Sequence, residues 1–77
     1  MKVVIYSKQQ CPYCDMAKRL AEQKGYELTV YMLDEDFNRE ALMENFPGAR
    51  TFPQIIADDV KIGGYTEFKA LVMREGL

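Results

Sequence analysis

The sequence predicts one α/β domain of order βαβαββα, a four-stranded mixed sheet flanked by three helices. Three observations carry this expectation. A β-branched run opens the chain at Lys2–Tyr6, helical spacing begins at a proline directly behind a cysteine and recurs twice, and a tight hairpin is signalled at Asp58-Asp59. The 77 residues fit a single domain near the size at which one hydrophobic core just suffices, and no linker or repeat divides them.

Taken in order, Lys2–Tyr6 (KVVIY) reads as a buried first strand, and the polar residues Ser7–Gln10 as the turn after it. Pro12 suits the first position of a helix, in which Ala17, Leu20 and Ala21 recur at helical spacing until Gly25 supplies a stop. Glu27–Leu33 alternates, with Leu28, Val30 and Met32 on one face, and reads as a second strand parallel to the first. An acidic turn, Asp34–Asp36, precedes a second helical pattern holding Ala41, Leu42 and Phe46, which Pro47-Gly48 ends. Gln54–Ala57 and Val60–Ile62 form the hairpin around Asp58-Asp59. Gly63-Gly64 breaks it, and Phe68, Leu71 and Val72 mark the inner face of a last helix with Thr66 as its N-cap. Phe37, Phe46, Phe68 and the five methionines read as core filling.

Composition excludes several functions. Apolar residues at 48% and charged ones at 29% are a globular balance, which argues against a disordered chain. A net charge of -2 with interspersed signs offers no face for a nucleic-acid backbone. The apolar run Val3–Tyr6 is too short for a signal peptide or a membrane span, so no membrane partner and a cytosolic location are expected. Two cysteines are too few for the disulfide framework of a small secreted domain, which makes them a working pair. The absence of histidine excludes a Cys-His pair, a Ser-His-Asp triad and a mixed Cys/His zinc site.

The chemistry therefore centres on Cys11 and Cys14. Two thiols separated by two residues at a helix start can close into a disulfide and reopen, provided that the backbone holds their side chains together. The attacking species is a thiolate, which unpaired N–H groups and the helix dipole favour at a helix N-terminus. Cys11 stands there and Cys14 lies a turn further in, so Cys11 is the candidate nucleophile and Cys14 the resolving thiol. Lys8, three residues before Cys11, is a candidate nearby cation. The spacing alone leaves thioredoxin-like and metal-binding readings open.

Four elements in order narrow the choice: Lys8 before the motif, Cys11-Pro12-Tyr13-Cys14, Thr51-Phe52-Pro53, and Gly63-Gly64 before the last helix. Through them the chain resembles the glutaredoxins over essentially its whole length, and the resemblance implies a thioredoxin-like fold. It also implies that Pro53 follows a cis peptide bond beside the active cysteine, and that Phe52 pairs through its backbone with the cysteine of bound glutathione. The family usually has valine where this chain has Phe52. Gly63 and Gly64 permit close backbone approach, and the N–H groups of Tyr65 and Thr66 could hold an anion. By resemblance that anion is the γ-glutamyl carboxylate of glutathione, with the Thr66 hydroxyl as a further donor. Many relatives carry acidic or serine residues where this chain has Thr66 and Glu67. Tyr13 would flank the peptide part of glutathione, and the guanidinium fork of Arg50 suits its glycyl carboxylate.

The function so implied is glutathione-dependent reduction of protein disulfides and of protein–glutathione mixed disulfides, with ribonucleotide reductase as one client. Glutathione serves as reductant and co-substrate, no metal is expected, and the chain is expected to be a monomer. Two rival readings differ in their electron source or class. One is a disulfide reductase served by thioredoxin reductase, which would lack a glutathione site; Gly63-Gly64 speaks against it. The other is a dimer binding a [2Fe-2S] cluster through Cys11 of two chains and two glutathiones. Pro12 resembles the dithiol redox group more than the cluster carriers.

Overall fold

A computed structural model describes residues 1–49 and 51–75 of the chain. Seven elements follow in the order β1 (Lys2–Ser7), α1 (Pro12–Gln23), β2 (Glu27–Met32), α2 (Arg39–Asn45), β3 (Gln54–Ala57), β4 (Val60–Gly63) and α3 (Tyr65–Glu75). The sheet order is β2-β1-β3-β4. β1 runs parallel to β2 and antiparallel to β3, and β3 runs antiparallel to β4.

The register explains the alternation. Val3, Ile5 and Ser7 stand opposite Leu28, Val30 and Met32 on β2, so the face read from the sequence is the one that turns to the core. Ile55 and Ala57 of β3 join the same face opposite Ile5 and Val3. Phe68 and Val72 of α3 and Ala17 and Ala21 of α1 close over it, all buried. The small residues of α1 allow the helix to approach the sheet, and Phe68 fills the space between the two helices and the strands. On the opposite face Tyr6 packs against Tyr31, Phe37 and Phe46, with ring centroids 5.3, 5.1 and 5.1 Å apart.

Local signals set the helix ends. α1 closes in a Schellman motif: the Gly25 N–H donates to Glu22 and the Tyr26 N–H to Ala21, with Gly25 at φ +71°. Asn38 caps α2, its side-chain oxygen accepting the Ala41 N–H at 2.8 Å.

Four readings are corrected. Phe46 is the cap residue after α2 rather than part of it, although it is buried as expected. Leu33 lies outside β2, in an isolated bridge to Phe37. Thr66 is not the N-cap of α3: the Phe68 N–H donates to the Gly64 carbonyl, so the helical ladder starts earlier and Thr66 sits in the first turn. Met16, Met43 and Met73 are exposed rather than core filling, since they occupy outward helix positions that their high helix propensity suits. Among the described residues no helix is long and apolar enough to cross a membrane.

Candidate functional site

Strand directions bring three distant segments to one end of the sheet. Tyr6 and Ser7 end β1, and Gln54, the first residue of β3, stands opposite Tyr6. Because β4 runs back along β3, its last residue, Gly63, lies opposite Ile55 at that same end. The loop after β1, the segment before β3 and the turn after β4 therefore meet where β1 delivers its carboxyl end, the usual position for sites on open α/β sheets.

Cys11 and Cys14 are joined in a disulfide, with their Cα atoms 5.2 Å apart. Cys11 is the N-cap of α1: its backbone is extended at φ -124°, and its sulfur accepts the Cys14 N–H at 3.2 Å. A sulfur in place of the usual cap oxygen thus satisfies one of the N–H groups a helix start leaves unpaired. The same donor, together with the helix dipole, would stabilise negative charge on the Cys11 sulfur after reduction. Cys11 keeps 7% exposure while Cys14 is fully buried, so of the pair only Cys11 has any surface open to solvent.

Beside the motif lies an open groove of about 390 Å³. Tyr13, Thr51, Phe52, Pro53, Gly64, Tyr65 and Thr66 all line it. Tyr13 of α1 and Tyr65 of α3 face each other across it at 6.1 Å between ring centroids. The Phe52–Pro53 peptide is cis, and Pro53 is fully buried. Gly64 lies close to this segment: a Cβ built on it would come 3.6 Å from the Pro53 carbonyl oxygen. Tyr65 and Thr66 occupy the first turn of α3, where backbone N–H groups have no intrahelical acceptor.

Lys8 is exposed and does not line this groove, but its ammonium lies over the Phe52 ring, 5.8 Å from the centroid. Arg50 lies outside the described residues. Three further residues line the groove: Gly63, singled out in the sequence together with Gly64, and Gln54 and Glu67, which were assigned no role there. Gln54 is buried, and its side-chain amide donates to the Thr51 carbonyl at 2.7 Å, bracing the segment ahead of β3. Gly63, at φ +108°, lets the chain turn from β4 into α3. Glu67 folds back over that turn, its carboxyl carbon 3.2 Å from where a Gly63 Cβ would stand. A carboxylate four residues past a glycine carries no local sequence signal of this reach.

A second cleft, of about 500 Å³, lies at the opposite end of the sheet beside Met1, Asp58 and Leu71; its lining is mostly apolar and includes neither cysteine. Among the described residues no group of three or more histidine, cysteine or acidic side chains could hold a metal ion.

Comparison with known proteins is consistent from sequence to structure. The glutaredoxin family model matches residues 3–62. A probable glutaredoxin of Synechocystis is 41% identical over 71 residues, which cover 91% of this chain and 81% of that one. Glutaredoxin 3 of Escherichia coli K12 is 39% identical over 75 residues, 97% of this chain and 90% of its own. Among solved structures, glutaredoxin 1 from Francisella tularensis complexed with cacodylate superposes with a TM-score of 0.79 at 34% identity, covering 96% of this chain and 94% of that one. The buckwheat glutaredoxin–glutathione complex does so with a TM-score of 0.78 at 29% identity, covering 96% and 69%.

Proposed function

This chain belongs to the glutaredoxin family of thiol-disulfide oxidoreductases, and from that premise we propose that glutathione is its reductant and co-substrate. The observation that carries the proposal is the groove itself, which gathers Tyr13, Thr51, Phe52, Pro53, Gly64, Tyr65 and Thr66 beside the cysteine motif. Its chemistry supports glutathione. The γ-glutamyl end of that peptide carries a carboxylate and an ammonium, which suit the N–H donors opening α3 and the nearby Glu67 carboxylate. The buckwheat relative was solved as a complex with glutathione.

In the proposed cycle the Cys11 thiolate attacks the glutathionyl sulfur of a protein–glutathione mixed disulfide. A bond forms between Cys11 and that sulfur, and the protein leaves as thiolate and takes a proton from solvent. A second glutathione thiolate then attacks the mixed disulfide on Cys11, releasing oxidised glutathione and restoring the Cys11 thiolate. With a protein disulfide, the Cys11 thiolate first attacks one client sulfur to form a mixed disulfide, and the Cys14 thiolate then attacks the Cys11 sulfur, expelling the client thiolate. The internal Cys11–Cys14 disulfide forms, the client leaves as a dithiol, and two glutathiones return the pair to its reduced state. Ribonucleotide reductase is the proposed protein client, served by a cytosolic monomer.

The test separates the two cysteines. Cys11→Ser should abolish reduction of both substrate types, whereas Cys14→Ser should retain turnover of a glutathionylated peptide and lose reduction of a protein disulfide. Oxidised glutathione mixed with reduced Cys14→Ser protein should add one glutathionyl group at Cys11 by mass. Absence of that adduct, with activity served by thioredoxin reductase instead, would overturn the glutathione assignment.

A further inference from the structure

We propose that Phe52 is a positioning residue that holds Lys8 at the rim of the groove, an inference resting on the glutathione reading above. Lys8 follows β1 in an exposed loop, and a lysine there has four freely rotating bonds and a strongly hydrated head. Its ammonium nevertheless lies over the Phe52 ring, 5.8 Å from the centroid, within the reach of a cation–π contact. The ring is a fixed platform. Phe52 packs on Phe37 with centroids 6.3 Å apart, and Phe37 meets Tyr6 of β1 edge-on at 5.1 Å. Two aromatic contacts thus tie the Phe52 ring to the sheet while it also lines the groove.

A competing environment lies on the other side. Lys8 shares a separate cleft with Asp34 and Glu35. Without a π-face at position 52, those carboxylates would draw the ammonium away from the groove. A valine there offers no such face, so the aromatic residue gives this chain a means of aiming its one lysine between β1 and α1 at an anionic end of the bound peptide.

The contact is read directly by NMR of the reduced full-length protein. Ring-current shielding should move the Lys8 Hε resonances upfield; Phe52→Val should return them to ordinary positions, and Phe52→Tyr should keep the shift. With a glutathionylated peptide as substrate, Phe52→Val should raise KM about two- to fivefold at unchanged kcat. Phe52→Tyr should restore KM, and Phe52→Val should add nothing in a Lys8→Met background, since the two residues act as one unit. Unshifted Lys8 resonances, or an equal Phe52→Val penalty with and without Lys8, would overturn the proposal. A shifted Lys8 combined with a KM indifferent to Lys8→Met would refute the glutathione contact and leave the cation–π anchor standing, so the two failures are distinguishable.

Discussion

At Gln54 a polar side chain is buried where β3 begins, and its amide spans three residues to the Thr51 carbonyl at 2.7 Å. Truncation would leave that carbonyl without this partner and free the backbone of Thr51–Pro53, which lines the groove. Gln54→Ala is therefore expected to lower unfolding free energy by about 1–3 kcal/mol and to raise KM for a glutathionylated peptide, measured by urea titration and steady-state kinetics. Gln54→Glu keeps the size and removes the donor, and should reproduce most of the loss. The cysteines were legible from spacing and position alone, because a helix start acts on whatever residue caps it. Gln54 was not, since glutamine is ordinarily a surface residue and nothing adjacent announces its burial. Glu67 was likewise noted only as a departure from the family pattern; its approach to Gly63 depends on how α3 leaves the sheet.

Among the elements, the β3–β4 hairpin is the clearest case of local chemistry at work. Asp58 and Asp59 both adopt positive φ, 49° and 68°, as a type I′ turn requires. Asp58 also accepts the Lys2 N–H at 2.8 Å, tying the turn to the start of β1, whereas the Asp59 side chain makes no such bond among the described residues. Asp59→Gly should relieve the cost of a left-handed conformation and stabilise the protein by about 0.4–1 kcal/mol, read as a higher thermal midpoint; Asp58→Gly should not, because it removes the bond to Lys2. Element existence was readable throughout, while several ends were not. β1 reaches Ser7 because that residue pairs with Met32, and β4 reaches Gly63 through a bulge at Ile62 that lets Gly63 stand opposite Ile55. α3 starts one residue before Thr66 because the Gly64 carbonyl takes the first helical bond, although threonine is the better cap by type. For both strands a partner elsewhere in the chain moved the boundary, whereas for α3 it was a local backbone bond.

For the molecule as a whole, one buried layer supports the site. Phe68 is fully buried among Val3, Ile5, Ala17, Ala21, Ile55 and Val72, joining both helices on that face to the two central strands. Phe68→Ala is expected to cost about 3–5 kcal/mol, a large share of the roughly 4–12 kcal/mol typical for 77 residues. The urea midpoint should fall with an unchanged slope. The same layer explains why the site is coherent: its three segments lie far apart in the chain, and only the shared strand ends bring them together.

Periodicity, capping and spacing are properties of neighbouring residues, and they were enough for the order of elements, the inward face of the second strand and the cysteine pair. The four-part resemblance also pointed to the residues of the groove. Only packing between distant segments leaves Cys11 with a little exposure while burying Cys14, brings Gln54 and Glu67 to the groove, and sets Lys8 over Phe52. Those outcomes depend on contacts between segments tens of residues apart, which strand direction and core packing set and no local pattern encodes.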